Sequence, residues 1–73
     1  MTREEFVDWV QLNNCEPDPI EGINVTAWSI RFVNKANQKL YTYISTPIDT
    51  RHMPEHLIRL ACVQLGIPIP TKF

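Results

Sequence analysis

Two runs of strand-forming residues decide the fold of this chain: Ile23–Val33, INVTAWSIRFV, and Lys39–Thr46, KLYTYIST. β-branched and aromatic residues dominate both runs. The five residues between them, Asn34–Gln38, are mostly polar. This pattern predicts two antiparallel strands joined as a hairpin.

Alternation along the hairpin gives its two faces different characters. A five-residue loop places Phe32 opposite Leu40, Ile30 opposite Thr42 and Trp28 opposite Ile44. The even-numbered apolar residues then share the face that we expect to meet the helices. The odd-numbered face carries a basic and aromatic set that a core does not need: Ser29, Arg31, Lys39, Tyr41 and Tyr43. This face is the predicted binding surface.

The first helix is marked by a capping box. Thr2 is followed three residues later by Glu5, so each side chain satisfies a backbone N–H of the first turn. We expect the helix to begin at about Arg3 and to end near Asn13 and Asn14. The segment from Cys15 to Gly22 contains two prolines and predicts a loop, with or without a short edge strand.

The second helix follows Pro54, which occupies its predicted first position. Gly66 supplies a left-handed cap, and the prolines after it prevent continuation. We expect the tail to Phe73 to be extended and to fold back on the body. Apolar residues recur at helical spacing within the helix: Leu57, Ile58, Ala61, Cys62 and Leu65.

These elements predict a single α+β domain spanning residues 1–73. Its order is α-β-β-α or α-β-β-β-α, with both helices on one face of a small antiparallel sheet. A chain of this length is near the lower end of what folds alone. The predicted core comprises Phe6, Trp9, Val10, Trp28, Ile30, Phe32, Leu40, Ile44, Leu57, Ile58, Ala61 and Leu65.

Charge is divided along the chain. Residues 1–22 carry six acids and one base, net −5, whereas residues 23–73 carry two acids and six bases, net +4. The basic part adds Arg51 and Arg59 to the candidate binding residues, and it would attract an anionic partner. The two isolated cysteines, the acidic N-terminus and the absence of a long apolar run predict a reduced, cytoplasmic protein without a membrane segment.

In the final third, the strand Tyr43–Pro47 is followed by a polar loop with a histidine, an apolar-striped helix, Gly66-Ile67 and a terminal phenylalanine. This order resembles the HicA/YcfA family of small toxin components, which has a fold similar to the double-stranded-RNA-binding fold. It implies a ribonuclease whose histidine lies in a Gly-Ser-His motif, after a Gly-Trp pair. Neither motif is present in this sequence, so the resemblance implies a topology and assigns no catalytic residue.

Other chemistries receive little support from the sequence. His52 to His56 matches the H-x-x-E-H pattern of inverted zinc peptidases, but Pro54 places His52 before the helix, away from its partner. A zinc site from Cys15, Cys62 and the two histidines is disfavoured because Cys62 lies in an apolar stripe. The sequence therefore predicts no metal, no cofactor and no catalytic residue.

A noncatalytic binding module is the predicted function, with a ribonuclease like that of the toxin family as the less favoured alternative. Three partners of the binding module stay open. Exposed arginine, lysine and tyrosine side chains on a sheet suit RNA, by phosphate pairing and base stacking. The same residues suit a protein partner. The acidic and basic parts of the chain are also complementary, so a homo-oligomer is the third alternative.

Overall fold

The computed structural model describes residues 1–18, 22–23 and 26–71. Along the chain, one helix precedes the strands and one follows them. The elements are α1 (Arg3–Leu12), β1 (Cys15–Pro17), β2 (Gly22–Ile23), β3 (Ala27–Asn34), β4 (Tyr41–Pro47) and α2 (Glu55–Leu65).

The sheet is built around β3, and all its pairings are antiparallel. On one side of β3 lie β1 and β2, which occupy successive parts of the same edge; on the other side lies β4. The sheet is therefore three strands wide. With β1 and β2 counted together as one edge, the α-β-β-β-α version of the predicted order is confirmed. The short edge strand left open by the sequence exists as β1, although residues 19–21 and 24–25 lie outside the described part of the chain.

The predicted register of the hairpin is wrong by two residues. Phe32 lies opposite Thr42, Ile30 opposite Ile44 and Trp28 opposite Thr46. The connection runs through residues 35–40 because the backbone N–H of Asn34 donates to Leu40 O at 3.0 Å and closes a longer loop. A shift of two residues leaves every side chain on its predicted face.

The core lies between the sheet and the two helices. Phe6 of α1 meets Phe32 of β3 edge to face, with ring centroids 5.8 Å apart. Trp9 and Leu57 are only partly buried, and so is Leu40, although all three were predicted as core. The predicted core omitted three residues of the buried hydrophobic cluster: Cys15, Met53 and Cys62. Cys15 is buried because the register of β1 places it on the core face opposite Asn34.

Both ends of α1 follow local rules. Glu5 N–H donates to Thr2 Oγ1 at 3.1 Å, and Thr2 N–H donates to the Glu5 carboxylate at 2.8 Å, so the capping box is confirmed. The hydrogen bonds from Thr2 lower the pKa of Glu5 below its ordinary value. Asn14 then adopts a φ of 66°, a left-handed conformation that asparagine tolerates, and turns the chain into β1.

The cap of α1 gives a testable prediction. Thr2→Ala is expected to lower the free energy of unfolding by about 1 kcal/mol, because the N–H of Glu5 loses its acceptor. Urea titration at neutral pH measures the effect, with Thr71→Ala, an exposed threonine outside the helices and strands, as control. The Thr2 hydrogen bonds lower the pKa of Glu5, so the ionised Glu5 carboxylate stabilises the folded state above pH 4.5. This stabilisation is lost as the pH falls from 4.5 through the lowered pKa. Equal unfolding of the two variants at neutral pH would contradict the prediction.

Pro54 and Gly66 bound α2. Pro54 has a ψ of 138° and is the N-cap rather than the first helical residue, so α2 begins one residue later than predicted. Gly66 has a φ of 68° and ends the helix as predicted; a Cβ there would lie 3.0 Å from Leu40 Cδ1. The tail folds back as predicted over its described residues, since Ile67 and Ile69 pack against the core and Trp9 Nε1 donates to Pro68 O at 2.9 Å.

Candidate binding surface

The face of the sheet opposite the helices presents the odd-numbered residues of β3 and β4. We define the open face as Glu16, Ser29, Arg31, Val33, Tyr41, Tyr43 and Ser45, which share this side by register. Tyr41 and Tyr43 are 53% and 60% exposed. Two adjacent aromatic side chains that are not used in the core make this face the candidate binding surface.

Arg31 is held in place on the open face by two neighbours. Its guanidinium carbon lies 4.7 Å from the centre of the Tyr41 ring, a cation–π contact. Its Nε lies 3.7 Å from Asp18 Oδ2, an ion pair too long for a hydrogen bond. Asp18 is itself anchored, because its N–H donates to Arg31 O at 2.7 Å. The guanidinium is therefore oriented before any partner arrives.

The edge strand β1 and the residue after it add two acidic groups, Glu16 and Asp18, that the sequence analysis did not assign to this surface. Glu16 lies opposite Val33, and its carboxylate is 3.9 Å from the Lys35 ammonium. Asp18, Glu16 and Arg31 also border one shallow cleft. Counting the nearby bases Arg31, Lys35 and Lys39 against Glu16 and Asp18 gives a net charge of only +1.

The six residues predicted to bind do not form one surface. Arg31, Tyr41 and Tyr43 lie together, and Lys39 is exposed in the loop before β4. Arg59 lies in the helical layer, where it pairs with Glu55 at 3.0 Å. Arg51 borders a separate cleft with Thr2, Arg3 and Glu4 at the N-terminus of α1. The predicted binding residues therefore lie in separate places, although most of them are basic.

A cleft of about 480 Å³ lies beside α1 and is lined by Arg3, Val7, Trp28, Ile48 and neighbouring acids. Arg3 is already engaged there: its Nη2 donates to Pro47 O at 2.9 Å and Ile48 O at 2.7 Å, and its guanidinium lies over the Trp28 ring. These contacts tie α1 to the end of β4. The arginine of this cleft thus has a structural role.

The two cysteines have the environment of core residues. Burial raises the pKa of the Cys15 thiol. It also raises the pKa of Cys62, against a lowering by a hydrogen bond with Trp9. Both thiols are therefore protonated at neutral pH and are weak nucleophiles and ligands. In the part of the chain that the structure describes, no group of three or more His, Cys, Asp or Glu side chains could hold a metal ion.

Comparisons with models of protein families, with characterised proteins and with solved structures found no match to this chain. Neither of the described helices is long and apolar enough to cross a membrane. The inference of function therefore depends on the geometry of the surface itself.

Proposed function

We propose that this domain is a noncatalytic protein-binding module that receives its partner on the open face. The observation that carries the proposal is the preorganised Arg31, held between Tyr41 and Asp18 beside the exposed Tyr43. Tyrosine and arginine are enriched among the residues that contribute most to protein binding. Orienting them before binding reduces the entropy that association would otherwise cost.

The charges of this surface favour a protein over RNA. RNA binding depends on several unpaired cations that replace counterions along the phosphates. Here Glu16 and Asp18 lie among the bases, and the guanidinium of Arg31 already faces a carboxylate. Exposed aromatic rings and an arginine within a polar rim are a typical composition of a protein interface. The buried, protonated thiols agree with a noncatalytic role.

Differential capture tests the proposal. Immobilised wild-type domain is compared with the Tyr41→Ala/Tyr43→Ala variant in an extract of the native cells. Proteins that bind the open face are expected to be reduced at least about ten-fold by the variant, because hot-spot side chains each contribute more than about 1 kcal/mol. The matched control is Leu12→Ala/Val63→Ala, which removes two exposed apolar side chains of the helical layer and should leave capture unchanged.

RNA binding is the outcome that would overturn the proposal. Fluorescence anisotropy of labelled single-stranded and double-stranded RNA, at two salt concentrations, measures it directly. We expect no binding that depends steeply on salt. Micromolar binding that weakens steeply with salt, and is lost in the double tyrosine variant, would assign the open face to RNA.

A further inference from the structure

Strand β4 forms an edge of the sheet. Within the described residues, β4 pairs with β3 alone. Asn34 N donates to Leu40 O, and at the other end Ile48 N donates to Thr26 O at 3.1 Å. These two bonds show that the even-numbered residues of β4 are the ones whose backbone groups bond to β3. In an antiparallel pair the backbone groups of successive residues point alternately toward and away from the neighbouring strand. The N–H and C=O groups of Tyr41, Tyr43 and Ser45 therefore point away from the sheet.

This edge lacks the usual protection against further pairing. Natural edge strands commonly carry charged residues, bulges or internal prolines that block the addition of another strand. The sequence of β4, YTYISTP, contains no charged residue, and its proline is the last position. The edge is therefore chemically suited to accept another strand.

The side of α2 next to this edge exposes an apolar residue. Thr42 Oγ1 donates to Gln64 Oε1 at 2.6 Å, which identifies the side of α2 next to β4. Leu60 and Leu57 precede Gln64 by one and two helical turns, so they lie on the same side. Leu60 is 52% exposed there. A strand that pairs with β4 would bring the helices that cover its own sheet into contact with Leu60.

We propose that β4 pairs antiparallel with β4 of a second copy of this chain, about a two-fold axis at Tyr43. Each Tyr43 then exchanges both backbone hydrogen bonds with its own copy. Tyr41 exchanges both with Ser45 of the partner subunit. The outward groups of Tyr41, Tyr43 and Ser45 are thereby all satisfied, and the two sheets become continuous.

The charges flanking β4 identify a second copy as the occupant. A two-fold contact joins the same strand of both copies, so any charge on β4 would be repeated within the joined ladder; an uncharged strand avoids this repulsion. Pairing centred on Tyr43 brings the turn before β4, with Lys39, to the same end of the joined strands as the turn after β4 of the partner subunit, with Asp49 of the partner subunit. Lys39 and Asp49 are both exposed and of opposite charge. The two α2 helices also meet side by side, which covers Leu60.

The dimer does not depend on the proposed function. The edge is made of backbone groups, whereas the open face is made of side chains that stay on one side of the joined sheet. A single added strand buries less than the about 1,600 Å² of a standard interface. We therefore expect a weak dimer that dissociates on dilution.

Sedimentation equilibrium of the full chain, from about 5 to about 500 µM, spans the affinities expected of such an interface. Wild type is expected to show a concentration-dependent dimer. Tyr43→Lys and Tyr43→Glu should each be monomeric, because like charges face each other across the axis. Their equimolar mixture should restore the dimer, because the charges are then opposite. Ser29→Lys and Ser29→Glu, on the same face of the central strand, should both remain dimeric.

Two results would overturn the proposal. A wild-type monomer at every concentration excludes the pairing, and single charge variants that remain dimeric place the contact elsewhere. If the charged variants fail to fold, Ser45→Pro removes one outward N–H and should abolish the dimer, while Ser45→Ala loses the same hydroxyl contact with Ser29 and should retain it. A monomeric wild type that still captures its partner through Tyr41 and Tyr43 would refute the dimer and leave the proposed function intact.

Discussion

Phe32→Ala is expected to lower the free energy of unfolding by about 3 to 5 kcal/mol. Phe32 is fully buried on the central strand, and its ring meets Phe6 of α1 edge to face. Removing it leaves a cavity between the sheet and α1 that neither element can fill without moving. A domain of this size has a total stability of about 4 to 11 kcal/mol. The variant is therefore expected to be close to unfolding at 25 °C.

Urea unfolding followed by tryptophan fluorescence measures this loss. Val33→Ala is the matched control: it truncates the next residue of β3, on the open face, where the side chain is only partly buried. It should lower the stability by less than about 1 kcal/mol. If Phe32→Ala and Val33→Ala were equally stable, the ring of Phe32 would not be the link between the sheet and α1.

Which side chains of β3 and β4 face the core was predictable, because the apolar pattern of these strands repeats every two residues. An error of two residues in register left Phe32 and Ile30 on the core face. The loop length could not be predicted from composition, since the longer connection depends on hydrogen bonds made by Asn34. The limits of the helices were predicted within a residue or two because caps are local signals.

The acidic edge of the binding surface was hidden by its prolines. Pro17 and Pro19 favour a loop, yet β1 forms because Cys15 and Pro17 need only pair with one neighbour. The short pattern of an apolar cysteine followed by Glu16 was the available signal. Missing it made the open face look more basic than it is. Pairing of distant segments, rather than local propensity, decides which charges meet.

The scattered arginines illustrate the same limit. Arg51 and Arg59 belong to the basic part of the sequence, but the fold places them at the N-terminus of α1 and in the helical layer. A charge count along the chain carries no information on the layer in which each residue lies. The resemblance to small toxin components stays a prediction, and the RNA titration tests the binding that it implies.

Asn34→Leu is expected to lower the free energy of unfolding by about 2 to 3 kcal/mol, the second largest effect. Asn34 is only 8% exposed, and its Nδ2 donates to Leu65 O at 2.7 Å. Its Oδ1 accepts from Ala36 N–H at 2.9 Å. Leucine has a similar volume, so little space is lost, but the Leu65 carbonyl and the Ala36 N–H both lose their partner. The carbonyl, which is away from water, costs about 1 to 3 kcal/mol, whereas Ala36 is exposed and water can bond its N–H.

Asn37→Leu is the control in the same hairpin loop. Its Oδ1 also accepts a backbone N–H, that of Lys39 at 3.1 Å, but the residue is exposed and water can replace the bond. Its loss should be below about 1 kcal/mol. The difference between the two variants isolates the buried bond to Leu65 O, one of the last carbonyls of α2, which the helix itself cannot satisfy. If the two variants unfolded alike in urea, the hairpin would be attached to α2 by apolar packing alone.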